Sequence, residues 1–290
     1  MKASINSRLK SYIGLAKPER TLTNIMTAIA AYLFASQLDV SWLSFVALAS
    51  GLTLVIASAN ALNNFIDRDI DKKMARTQKR ALPSGDISAP ASVIYSLVLG
   101  IIGFMTLTYT NWLTVAIIAA AYVWYVAIYS YAKRHTVYST LIGTAPGGAS
   151  IVAGYTAFTD RLDKAAVILF ILMLAWQMVH FYAIAIFRLK DYKAAKILTF
   201  PIKYGLGATK KQMLGFMILF IFSLSLLKWE GYAGYIYLTV MLILSFIWLR
   251  KIIFGFAAKD NTAWAKDIFK FSLIVLLGMC LMVAIGTKLP

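Results

Sequence analysis

Apolar residues run along this chain in long blocks separated by short polar segments. The pattern has neither the two-residue alternation of half-buried strands nor the narrow apolar stripe of a soluble helix. Charge-free blocks of about 17 to 25 residues are long enough to cross a bilayer as helices. Nine such blocks stand out, at residues 22–38, 42–63, 91–108, 112–131, 138–157, 165–187, 213–228, 233–249 and 268–286. Trp42, Trp112, Tyr138, Trp229 and Tyr235 flank them, where amphipathic rings settle at the membrane interface. The pattern predicts an all-α integral membrane protein with nine transmembrane helices. No polar connection is long enough to fold alone, so residues 1–290 read as a single membrane domain. A basic, partly amphipathic lead over residues 1–20 is expected at the interface, and it carries no sign of a cleaved signal peptide.

Composition agrees with that reading. Hydrophobic residues make up 60% of the chain and charged residues only 14%, against about a quarter in soluble domains. The mean hydropathy is +0.73. The net charge of +17 raises the question of nucleic acid, and the distribution of charge answers it. Only Arg161, Lys164, Lys228 and Lys288 fall in one set of alternate connections, and every other Lys and Arg falls in the opposite set. By the positive-inside rule the N-terminus is cytoplasmic and the C-terminus outside. The basic excess is therefore mainly topology, with some left for anionic headgroups or an anionic substrate, and no nucleic-acid partner is expected. Cys280, the only cysteine, excludes an internal disulfide and reads as a small packing residue.

The twelve acids are worth locating because charge near a bilayer is costly. Asp39, Asp160, Asp163 and Glu230 read as solvated outer turns, and Asp260 and Asp267 as charge balance in a basic loop. Asn63, Asp67 and Asp71 differ. Spaced by four at the end of the second block, they share one helical face with side chains roughly 6 Å apart. Asp69 lies about 200° around the helix from Asp67 and is expected to pair with Lys72 or Lys73. After the sixth block, Arg188-Leu189-Lys190-Asp191 offers one further acid, and the position four residues on is Ala195. Few hard oxygen ligands beside several cations suit Mg²⁺ carrying a substrate phosphate. A phosphate site at a membrane face fits a prenyl diphosphate, whose tail needs the bilayer.

Aromatic faces able to stabilise an allylic cation are available at Tyr122, Trp124, Tyr125, Tyr129, Tyr131, Trp176, Phe181 and Tyr182. His180, in an apolar stretch of the sixth block, is either a helix-packing residue or a cavity ligand contacting the acceptor. His135 reads as interfacial.

The segment from Asn63, NNFIDRDIDKKMARTQKRALPSG, resembles the first aspartate-rich motif of the UbiA-type intramembrane prenyltransferases. Within them the likeness is to the bacterial heme O synthases (protoheme IX farnesyltransferases). It extends through YSYAKRHTVYSTLIG (129–143), WQMVHFYAIAIFRLKDYKAA (176–195) and WAKDIFKFSLI (264–274), nearly the whole chain. The resemblance implies nine helices around a central cavity, and transfer of a farnesyl group from farnesyl diphosphate to the vinyl group of heme B with addition of water. It implies Asn63, Asp67, Asp71 and Asp191 as Mg²⁺ and diphosphate ligands, with Asp67, Asp71 and Asp191 catalytic. Arg76, Lys133, Arg134, Arg188 and Lys190 become diphosphate contacts, and His180 and Tyr192 further substrate contacts.

The family also reads Ala at the position of Ala195. Ser150, Ile151 and Val179 stand where it has prolines, and these departures bear on the acceptor pocket rather than the diphosphate residues. The setting implied is the bacterial cytoplasmic membrane, with partners in heme-copper oxidase assembly or downstream heme modification. Two other readings stay open: a quinone precursor or other aromatic as acceptor, and a transporter with an acidic ion site.

Overall fold

Apolar blocks become helices because a backbone crossing lipid has to satisfy its own hydrogen bonds. In the computed structural model, which describes residues 5–290, no strand occurs among the described residues. Lys2 and the first four residues of the expected interfacial lead lie outside them. The chain runs through α1 (Ile5–Leu15), α2 (Pro18–Ser36), α3 (Trp42–Ile66) and the short α4 (Arg68–Asp71) and α5 (Ala81–Ser84). Next come α6 (Ala89–Leu107), α7 (Trp112–Val123), a π-turn over Trp124–Tyr129 and α8 (Ser130–His135). The remainder is α9 (Ser139–Thr159), α10 (Lys164–Phe187), α11 (Leu189–Ala194), α12 (Phe200–Trp229), α13 (Tyr235–Phe254) and α14 (Asn261–Ile285).

Seven of these stretches are long and apolar enough to cross a membrane: α3, α6, the continuous run Trp112–His135, α10, α12, α13 with its following turn, and α14. The chain is a multi-pass membrane protein. Two further helices, α2 with 19 residues and α9 with 21, are comparably long but richer in Thr, Ser, Asn and Gly. Both sit inside the bundle, α2 against α9, α14 and α3, and α9 against α2, α10 and α7. Helices that face other helices rather than lipid use small residues to approach closely. At Gly154 a Cβ would collide with the Ala28 carbonyl of α2. The α3–α6 seam works alike: at Gly103 a Cβ would lie 2.8 Å from the Val55 backbone nitrogen. Ser58 and Ser96 clasp that seam reciprocally, each hydroxyl donating to the other's carbonyl at 2.7 and 2.9 Å.

One local break shapes the interior. Pro146 inside α9 has no N–H for the Ile142 carbonyl. The indole of Trp124 takes that carbonyl instead, at 2.9 Å, from the π-turn of the neighbouring helix. The wide turn also stacks Tyr125 on Tyr129, with centroids 5.5 Å apart. At the basic end, buried Lys210 donates to the Gly255 carbonyl (2.6 Å) and Asn261 Oδ1 (2.5 Å), tying α12 to the ends of α13 and α14. Trp42, Trp112, Trp229 and Tyr235 stand exposed at the opposite end, as interfacial anchors should. Ile151 and Val179 are buried core residues, and Ser150 donates to Asn24 Oδ1 at 3.3 Å. Cys280 is buried and free.

Asp39, Asp160 and Glu230 are exposed outer acids as expected, while Asp163 is less solvated. Asp163 caps α10 through the Ala165 and Ala166 amides and accepts the Tyr155 hydroxyl at 2.8 Å, because the start of α10 presents amides that need an acceptor.

Gly154→Leu should force α2 from α9 and lower the melting temperature in detergent, an overpacking cost of about 1–3 kcal/mol or more. Gly215→Leu, with nothing within 4 Å of the added Cβ, should leave it nearly unchanged, and equal melting of the two variants would contradict this packing.

Candidate active site

The polar face of α3 starts deeper than Asn63. Asn60 donates to the Ala16 carbonyl at 3.1 Å and Asn64 to the Leu15 carbonyl at 3.0 Å, so α3 satisfies the last carbonyls of α1. These bonds fix the corner before α2, where Lys17 takes a left-handed backbone (φ 49°). From there the Lys17 ammonium donates to Asn63 Oδ1 at 3.0 Å, while Asn63 Nδ2 donates to Asp67 Oδ2 at 3.1 Å. Burial holds Lys17 well below the ordinary lysine range; repulsion from Arg20, Arg80 and Lys133 adds to this, and Asp67 opposes it.

α3 ends at Ile66, yet the helical register continues. The Asp67 N–H bonds the Asn63 carbonyl at 2.9 Å and the Asp71 N–H bonds the Asp67 carbonyl at 2.8 Å. The three side chains therefore keep the one-sided arrangement that their spacing implies, and they are 5%, 2% and 2% exposed. Lys133 from α8 donates to Asp67 Oδ2 at 2.7 Å, and Arg80 donates to Asp71 Oδ2 at 2.7 Å. Among the described residues Asp67 Oδ1 is buried without a hydrogen-bond partner, with Arg134 Nη2 4.0 Å away. An anionic oxygen left bare in this way fits a hard cation such as Mg²⁺.

Asp69 departs from expectation. It pairs with Arg134 rather than Lys72 or Lys73, because the guanidinium fork at the end of α8 meets both carboxylate oxygens (2.7 and 2.8 Å) while also donating to the Ile66 carbonyl. That fork pulls the Asp69 carboxyl down to about 2. Arg134 is thus engaged beside Asp67 rather than free.

The second acidic segment, α11, docks through apolar contacts. Ile70 and Met74, next to Asp71, pack with Ala195 and Ile197, and Tyr192 covers them. Ala195 is 6% exposed, so this position serves packing, and an acid there would be buried in apolar surroundings. Asp191 is partly exposed, with Arg188 3.8 Å away. No group of three His, Cys, Asp or Glu side chains able to hold a metal occurs among the described residues, so Asp191 does not join Asp67 and Asp71 in one cluster. Arg76, Arg188 and Lys190 are exposed.

The aromatic residues divide by role. Tyr125 reaches Asn60 Oδ1 at 3.5 Å, which places the Tyr125–Tyr129 stack just inside the polar face of α3. Tyr122 bonds Ser58, Tyr182 packs on Phe200, and Tyr131 stacks on His135 at the surface. Trp176 and Phe181 flank buried His180. Sequence reasoning missed Lys17, Asn60, Asn64 and Arg80 as parts of the site. The i, i+3, i+4, i+7 spacing of Asn60, Asn63, Asn64 and Asp67 in an apolar span is a signal for the asparagines; Arg80 lies in a loop, where spacing says nothing.

A helical membrane bundle with buried carboxylates among cations at one end defines a class, and comparison with known proteins agrees. The chain belongs to the UbiA prenyltransferase family, whose model matches residues 24–274. It is 42% identical over 286 residues to protoheme IX farnesyltransferase 2 of Chromobacterium violaceum, covering 98% of this chain and 95% of that protein. It is 41% identical over 283 residues to protoheme IX farnesyltransferase of Salmonella arizonae, covering 97% and 96%. Among solved structures, one of a digeranylgeranylglyceryl phosphate synthase superposes with a TM-score of 0.81 at 22% identity, covering 98% of this chain and 100% of that one. A UbiA homolog from Archaeoglobus fulgidus bound to GPP and Mg²⁺ superposes with a TM-score of 0.72 at 14% identity, covering 96% and 100%.

Arg80→Leu strands the buried Asp71 carboxylate and should cost about 3–5 kcal/mol. Adding Asp71→Leu removes the stranded charge and should recover stability. Melting temperatures in detergent check this; a double variant less stable than the single one would show that Arg80 is not what neutralises Asp71.

Proposed function

We propose that this protein is a Mg²⁺-dependent farnesyltransferase that converts heme B to heme O. In this reading residues 1–290 form one membrane domain in the bacterial cytoplasmic membrane. α2 and α9 complete nine spans around a central cavity, with the N-terminus and the acidic site on the cytoplasmic side and the C-terminus outside. The observation that carries the reading is the bare, buried Oδ1 of Asp67, on a carboxylate whose other oxygen is held by Asn63 and Lys133. The names of the relatives support the acceptor.

Asn63, Asp67 and Asp71 would hold Mg²⁺, with Asp191 outside their cluster on α11. Bound there, Mg²⁺ supplies positive charge to the departing diphosphate. The chain's own residues do the rest. Lys17, Lys133, Arg134 and Arg80 surround the carboxylates with cations within reach of diphosphate oxygens, and Arg76, Arg188 and Lys190 draw the anion to the entrance. The farnesyl C1–O bond breaks with its electron pair leaving on diphosphate, and the stacked Tyr125 and Tyr129 rings face the allylic cation. C1 bonds to a vinyl carbon of heme B. The cation created on the other vinyl carbon takes the oxygen of water, which releases one proton. The product, heme O, passes to heme-copper oxidase assembly or to further heme modification.

Purified protein given heme B, farnesyl diphosphate and Mg²⁺ should yield a product with the mass of heme O. Asp67→Ala should lower the rate by about 10²-fold or more. Failure of active wild-type preparations to shift the heme mass, together with prenylation of a quinone precursor, would overturn the assignment of acceptor.

A further inference from the structure

We propose that Ser272 is a positioning residue that sets His180 as the axial ligand for the iron of the heme acceptor. The inference rests on the heme reading above and extends it to the α10–α14 contact.

His180 lies seven residues before the end of α10, about 10 Å into the bundle. Its ring stacks on Trp176 (4.8 Å between centroids, 20°) and is tilted against Phe269 of α14 at 5.0 Å. Nδ1 lies 2.6 Å from Ser272 Oγ, across the α10–α14 contact. The Ser272 hydroxyl also lies 2.6 Å from the Phe269 carbonyl, one turn back on its own helix. A hydroxyl has one proton. Assigning that proton to the Phe269 carbonyl leaves the serine oxygen only lone pairs to offer Nδ1, and Nδ1 then carries the imidazole proton.

The other nitrogen, Nε2, is then the bare one, and it takes part in no hydrogen bond among the described residues. A histidine needed only to join α10 to α14 has no use for this arrangement. Trp176 already makes that join, its indole donating to the Ser272 carbonyl at 2.9 Å. Trp176 and His180, one turn apart, are both anchored on Ser272, which fixes the ring plane as well as the tautomer.

A neutral imidazole in apolar surroundings, with Nδ1–H held by an oxygen and Nε2 free, is the arrangement a metal-ligating histidine takes. Histidine is also a common axial ligand of heme iron. A bond from Nε2 to iron would fix the porphyrin in the bundle while a vinyl group is presented to the farnesyl C1. That fixation lowers the entropy cost of bringing the two substrates together.

The test is a titration of the purified full-length protein with ferric heme B and, separately, with metal-free protoporphyrin IX, followed by absorption and EPR spectra. The wild type should show a nitrogen ligand on iron. His180→Ala should lose that signature and regain it with added imidazole. Ser272→Ala should weaken ferric heme binding about 10- to 100-fold and alter the spectrum, while metal-free protoporphyrin binds as before; Ser272→Thr should restore both. Equal weakening for both porphyrins would mark Ser272 as packing and overturn the proposal. So would identical ferric spectra for wild type and His180→Ala, with the heme reading left standing. If the wild type binds neither porphyrin, the heme reading falls and this proposal with it.

Discussion

The burial of two carboxylates at one end of the bundle is the constraint around which the rest is arranged. Asp67 and Asp71 are each 2% exposed, and an unpaired charge in such a place is destabilising by several kcal/mol, of order 3–5. Their neutralisation draws together parts of the chain that are distant in sequence, Arg80 from the loop after α4 and Lys133 from α8, while Lys17 from the corner before α2 holds Asn63 beside them. Asn60 and Asn64 pin that corner in place. One oxygen, Asp67 Oδ1, is left out of the pairing, and the proposed Mg²⁺ site rests on that exception.

The helices around the cluster follow from where each one faces. α6 and α13 expose Ile, Leu, Met and Phe to the bilayer, whereas α2 and α9 are enclosed by other helices and carry Thr, Ser, Asn and Gly. Lipid rewards large apolar surface; helix–helix contact in lipid rewards close approach. Pro146 and the π-turn at Trp124–Tyr129 show the same economy, since a carbonyl freed on one helix is satisfied by an indole that a local widening of the next helix delivers.

What the chain reveals before folding follows from the same physics. Its helical character was legible in apolar blocks, and the Asn63–Asp67–Asp71 face in their spacing, because both are local, periodic properties. The partner of Asp69 was not: proximity along the chain favoured Lys72 or Lys73, and the fold delivers Arg134 from another helix. The role of Ala195 was visible only as a missing acid until Ile70, Met74 and Ile197 were seen to bury it. Arg80 and Lys17 looked like ordinary loop charges. Lys210 looked like another, and it is instead a buried tie between three helices. Contacts across the bundle are set by helix packing, which spacing alone does not encode.

We propose that Asp67 seats a divalent cation together with a diphosphate. The most direct test is the EPR spectrum of Mn²⁺, standing in for Mg²⁺, titrated into the purified protein with and without farnesyl diphosphate. Asp67→Asn, which keeps shape and removes charge, is the comparison. Tight Mn²⁺ binding by the wild type is expected only when farnesyl diphosphate is present, with its loss in Asp67→Asn. Equal Mn²⁺ binding by both proteins would contradict it.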